Sequence, residues 1–147
     1  MDATQRRKLT ALLVQQHLAV LVTHGEEWPT ATLQAFAETP DLGLLFIMIQ
    51  SAEKFQNLRK RPKVTVLIDS RHNIDASALE IARASIQGVA EEVPLKSAAA
   101  EPLKSLFLAK NPFEAPYFGH PELTIVRIKP VRVSYAAAQG DNFKADF

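Results

Sequence analysis

The chain has no cysteine. Disulfides, thiolate metal centres and cysteine nucleophiles are thereby excluded, and a cytoplasmic location is expected. No charge of one sign dominates: 17 Lys and Arg stand against 16 Asp and Glu, a formal net charge of +1. No overall field therefore argues for nucleic acid or an acidic partner. The longest apolar run is Leu42–Ile49, interrupted by Gly43, far too short to span a bilayer. The N-terminal MDATQRRKLTALLVQQ mixes charges with leucines and lacks a signal-peptide core, so a soluble protein with no membrane partner is expected. His17, His24, His72 and His120 show no ligand spacing, and no metal site is expected. There is no Ser-His-Asp order, paired-carboxylate motif or glycine-rich phosphate loop, which leaves hydrolase and nucleotide-kinase readings without support.

What is present is enough apolar surface for a core. The 147 residues are 47% hydrophobic and read as one domain, 1–147. The organising stretch is Leu42–Asp69, which reads strand, short helix, strand. Gly43–Ile49 is nearly all apolar, the mark of a buried strand. Ser51 is the expected N-cap of a helix over Ala52–Lys60, with Phe55 and Leu58 turned inward. Arg61-Pro62 stops that helix, because the residue before proline is pushed out of the helical region. Lys63–Asp69 resumes as a strand rich in β-branched residues. A helix starting directly off a strand has free N–H groups in its first turn. Those donors, the helix dipole, the Ser51 hydroxyl and the Lys54 ammonium can converge on an anion such as a phosphate.

Elsewhere, Asp2 or Thr4 caps a first helix to about His17, packed by the stripe Leu9, Leu12, Leu13 and Gln16. Leu18–Thr23 and Thr30–Ala37 read as strands. The second has one small apolar face (Ala31, Leu33, Ala35, Ala37) and one largely polar face (Thr30, Thr32, Gln34, Phe36). Short connections predict an antiparallel meander of these two with the central strand. Ser70–Ile81 reads as a loop. Ala82–Val93 is a strand whose Gly88 predicts a bulge or bend. Leu95–Lys110 is helical in composition, with a kink or break expected at Pro102. Asn111–Glu122 reads as a loop, and Leu123–Tyr135 as a last strand in which Pro130 predicts an edge or bulge. Ala136–Phe147 reads as a small polar tail. The expected class is mainly β, a six-stranded antiparallel barrel with flanking helices. So small a barrel is filled by side chains, which sends a large ligand to a groove between two subunits.

Three segments carry a family likeness: PTATLQAFAE (29–38), LGLLFIMIQSAEKFQNLRKRPKVTVLI (42–68) and RASIQGVAEEV (83–93). In their order and spacing they resemble the FMN-binding split barrels of the pyridoxamine-phosphate-oxidase-like superfamily, over roughly Leu18–Val93. The pair Asn57-Leu58 and the run Arg83 to Gly88 resemble its haem-utilisation-like branch. The resemblance implies a homodimer with two flavin sites at the subunit interface. It implies that Thr32, Leu33 and Gln34 lie along the flavin ring and ribityl chain, that Met48, Ile49, Ser51 and Lys54 hold the phosphate, and that Arg83 reaches the flavin of the other subunit. Two departures stand out. Ala52 and Glu53 occupy places where relatives carry a second phosphate-binding side chain, and position 32 is threonine rather than arginine. His120 lies at the stage where the haem-handling branch has a haem-binding histidine, but the match is poor.

The bland readings stand beside these. Lys54 reads equally as a solvated helix lysine, Ser51 as a plain cap, Thr32 and Gln34 as solvent-facing, and Arg83 as half of a surface ion pair. Trp28, Tyr117 and Phe118 read as core or interface aromatics rather than stacking platforms. Three functions are open: an FMN-dependent oxidoreductase, a non-catalytic flavin- or haem-binding dimeric module, and a dimeric scaffold without a ligand.

Overall fold

In the computed structural model, residues 1–72 and 79–147 are described. Helix α1, Ala3–Gln15, starts at Asp2 through a capping box: the Asp2 carboxylate accepts from the Gln5 N–H at 2.8 Å, and Gln5 Oε1 accepts from the Asp2 N–H at 3.0 Å. The strands are β1 Leu18–His24, β2 Pro29–Ala35, β3 Ala37–Glu38, β4 Leu44–Ile49, β5 Lys63–Asp69, β6 Arg83–Val93, β7 Leu123–Ala136 and β8 Asn142–Asp146. Helices α2, Glu53–Lys60, and α3, Ala100–Lys110, flank them.

The strands form one antiparallel sheet in the order β2-β1-β5-β6-β7-β4-β3, with β8 added on β7. The two ends of that order, β2 and β3, belong to a single stretch of chain broken only at Phe36. The sheet therefore curls back on itself through one bent segment. The first half of that segment pairs with β1 and the second with β4. Between β2 and β4 there is no ladder, and this gap is the split of the barrel.

The expected meander is thus corrected. Phe36 ends the alternation, because it and Ala37 are both buried and the chain turns between sheet halves. The Phe36 N–H donates to His17 O at 3.2 Å, and its carbonyl accepts from Asn111 Nδ2 at 2.8 Å. The strand count rises from six to eight in the same way: the bend separates β3 from β2, and the tail supplies β8.

The anticipated irregularity of β6 and β7 is present as a bulge. Gln87 faces Arg132 while Gly88 faces Pro130, so Val131 is the extra residue. Gly88 is required by the close approach: a Cβ there would sit 2.6 Å from the Lys129 carbonyl oxygen and 2.6 Å from Ile128 Cγ2. Pro102 causes no break. It falls in the first turn of α3, where its missing N–H has no intrahelical acceptor to lose. Most of the expected loop Asn111–Glu122 is 3₁₀ helix, Pro112–Gly119. Half of the expected loop Ser70–Ile81, residues 73–78, lies outside the described residues; the rest is turn, bend and irregular chain.

The main core fills the barrel with Leu21, Phe46, Val66, Ile68, Ile86, Val126 and Ile128, closed by Leu9 and Leu13 of α1 and Phe55 of α2. A second cluster seats α3, through Phe107, on Leu45, Val93 and Ile125. Lys110 ties these parts together. Its ammonium pairs with the Glu38 carboxylate, donates to Leu13 O at 2.7 Å and lies 4.2 Å from the Phe36 ring centroid. Among the described residues no helix is long and apolar enough to cross a membrane.

Candidate functional site

A groove of about 310 Å³ lies in the split. One wall is β2, with Leu33, Gln34 and Ala35; the other is the end of β4, with Ile47, Met48 and Ile49. The chain leaves β4 through a tight turn in which the Ala52 N–H donates to Ile49 O at 2.9 Å. Helix α2 then starts at the floor of the groove, where Ala52 and Lys54 line it. The N-cap is Ala52 rather than Ser51, and no side chain caps the first turn. Its N–H groups and the positive end of the dipole are left for another acceptor.

Lys54 is the cation of the groove. Its ammonium donates to Gln34 Oε1 at 2.6 Å, and partial burial holds its pKa below the ordinary lysine value. Gln34 Nε2 and Thr32 Oγ1 are buried with no hydrogen-bond partner. Gln34 lines the groove, while Thr32 lies outside its lining.

The polar face of β2 points inward. Cross-strand pairs share a face, and Thr32 pairs with Leu21 while Gln34 pairs with Ala19, both buried. The polar face is matched by the underside of α2, where Asn57 Nδ2 donates to Thr23 Oγ1 at 3.2 Å. The apolar face points outward instead. Leu33 is 63% exposed and Leu18 54%, with Val20, Val22, Ala31 and Leu67 beside them.

Five of the residues picked from sequence, Leu33, Gln34, Met48, Ile49 and Lys54, share this groove. Thr32 lies one position along β2. Ser51 turns away, its hydroxyl donating to Glu122 Oε2 at 3.4 Å. Arg83 pairs in register with Asp69 and Ala136, at the far end of β7 from the groove, and its guanidinium donates to Ile81 O at 3.1 Å. Glu53 does not crowd the groove. It faces the β1–β2 turn, where its carboxylate accepts from the Thr30 hydroxyl at 3.5 Å. His120 is exposed outside the groove, its Nδ1 accepting from the Glu122 N–H at 3.1 Å. Beside the apolar Ala35, Ile47, Ala52 and Leu123, the groove residues not marked as site residues from sequence are Glu114 and Tyr117 of the 3₁₀ helix. Their three-residue spacing was the available signal, hidden by prolines that read as loop.

The family model described as pyridoxamine 5'-phosphate oxidase matches residues 6–137. The chain belongs to this family. No curated protein sequence matches it. Among solved structures, this member of the pyridoxamine 5'-phosphate oxidase family is similar to a haem-binding protein from Mycobacterium smegmatis, with 16% identity and a TM-score of 0.87 over 99% of this chain and 59% of that one. It is similar to HutZ, the haem storage protein from Vibrio cholerae, with 14% identity and a TM-score of 0.74 over 84% and 88% of the two chains. It is also similar to an FAD-binding protein from Mesorhizobium loti, with 16% identity and a TM-score of 0.73 over 92% of each. At these identities the likeness shows the shared split-barrel fold.

Proposed function

We propose that the chain is an FMN-binding flavoprotein acting as a flavin-dependent oxidoreductase. The observation that carries the reading is the Lys54 ammonium in the split, bonded to Gln34 and set beside the uncapped first turn of α2. A phosphate suits Lys54 and the α2 amides. A planar ring and a polyol chain suit the apolar side chains of Leu33 and Met48 and the donors of Gln34 and Thr32. FMN supplies the redox chemistry when bound; the chain's residues bind it, orient it and limit water.

The groove is small for such a ligand, at the bottom of the roughly 300–1,000 Å³ usual for ligand sites. We take it to be completed by a second copy, docked on the outward apolar face around Leu18 and Leu33. An apolar sheet face of this kind is what a monomer rarely leaves uncovered. In that homodimer Arg83 of the partner subunit is assigned to the flavin. The location is assigned to the cytoplasm.

A second reading, a haem-binding dimer without catalysis, draws on the haem-binding proteins that share the fold. Among the described residues of one copy no histidine lines the groove, so this subunit offers a haem iron no imidazole there. The test is the ultraviolet-visible spectrum of purified protein, followed by FMN titration of wild type and Lys54→Ala. Flavin bands, or saturable FMN uptake weakened by Lys54→Ala, support the proposal. Colourless protein that ignores added FMN overturns it.

A further inference from the structure

The 3₁₀ helix Pro112–Gly119 forms a third wall of the groove. With three residues per turn, side chains at i and i+3 lie one above the other. The segment therefore has distinct faces. Phe118 packs on Phe107, ring centroids 6.3 Å apart. Phe113 faces solvent at 92% exposure. Glu114 and Tyr117, three apart, both face the groove and line it with Gln34, Met48 and Lys54.

This wall is held firmly. The buried Asn111 side chain, just before it, donates to Phe36 O at 2.8 Å and Phe107 O at 3.3 Å. Pro112 and Pro116 fix φ at two places. The Lys104 ammonium lies 5.1 Å from the Phe118 ring centroid. Tyr117 is thus presented on a stiff support, more than half exposed, and its hydroxyl bonds to none of the described residues. Among the described residues of one copy, Lys54 is the one cation in the groove lining and Glu114 the one carboxylate. A bound phosphate engages Lys54. With the partner subunit's Arg83 also assigned to the flavin, a second molecule entering past the 3₁₀ helix meets the Glu114 carboxylate first.

We propose that Tyr117 and Glu114 form the substrate side of the groove: Tyr117 offers its ring face to a planar substrate, and Glu114 selects a neutral or cationic one over an anion. Tyr117 acts by aromatic stacking. Glu114 acts by like-charge exclusion in a partly desolvated site, where charges are felt more strongly than in water. The inference rests on FMN occupying the groove.

The test uses FMN-loaded protein titrated with benzamidine and benzoate, planar analogues of opposite charge, followed by the shift of the bound flavin's absorbance. Wild type is expected to bind benzamidine at least about tenfold more tightly than benzoate. Glu114→Gln is expected to erase that preference. Tyr117→Ala is expected to weaken benzamidine about three- to tenfold, while Tyr117→Phe retains it. FMN affinity and melting temperature are measured for each variant, so that a folding defect is not mistaken for lost selectivity. If FMN-loaded wild type binds neither probe, binds both equally, or keeps its preference in Glu114→Gln, the inference is overturned and the FMN reading stands. If wild type takes up no FMN, the reading falls and the inference falls with it.

Discussion

The Lys54 ammonium on α2 donates to the side-chain carbonyl of Gln34 on β2 across 2.6 Å. It ties the helix that follows β4 to the strand at the opposite end of the sheet order. Partial burial lowers the Lys54 pKa from the ordinary 10.5. The sign follows directly. Below the lowered pKa the chain bears the cost of a desolvated charge, and that cost is relieved as pH rises through it. An anionic ligand gains from the same charge and loses it in the same window. The stabilisation conferred by saturating FMN is expected to shrink as pH rises towards 10.5, starting below the range of a surface lysine. Thermal shifts with and without FMN across alkaline pH measure this. Riboflavin, without the phosphate, is expected to show no such loss.

Leu33→Asp places a charge at the centre of the outward apolar face. It touches none of the core clusters, so the fold is expected to survive. The proposed dimer is expected to weaken by at least about 2 kcal/mol, roughly thirtyfold, from lost apolar burial and a desolvated charge. Sedimentation velocity over a concentration series reads this. A wild-type monomer at all concentrations would sink the dimer.

Glu38→Ala leaves the Lys110 ammonium largely enclosed, with side-chain exposure of only 11%. Removing one partner of a buried pair is expected to cost about 3 kcal/mol, read as a lower urea midpoint. Lys110→Met in the Glu38→Ala background is expected to recover part of it, because the unpaired charge is gone. No recovery would mean the pair matters only through packing.

Gly88→Ala forces a methyl group against the Lys129 carbonyl oxygen, which is backbone and cannot swing aside. A loss of about 2 kcal/mol is expected in chemical denaturation. A neutral result would show that the β6–β7 bulge shifts more freely than its register implies.

The local features of this fold are readable from the chain because short-range chemistry sets them. Asp2 with Gln5 caps α1, Arg61-Pro62 ends α2, and Gly88 with Pro130 marks the bulge. The break at Phe36 is not readable, because the residue types keep alternating while the backbone bends, and the bend is enforced by distant Asn111 and Lys110. The inward turn of the polar face of β2 is hidden for a similar reason, since its partners Lys54 and Asn57 sit on a helix after the next long strand. Ser51 has the better capping side chain, but the chain turns there and its hydroxyl is drawn to Glu122. Lys54 and Gln34 were each nameable from family likeness, while their contact needed the fold.

The unladdered gap between β2 and β4 has a mechanical consequence. β2 is held along one edge only, by β1, so it is the natural place for the curled sheet to unzip. A molecule seated across that opening acts as a staple, and its departure frees the strand. Amide exchange in β1 and β2 should therefore slow on occupancy more than exchange in β6 and β7, which would make the proposed cofactor a latch on the fold as well as a reagent.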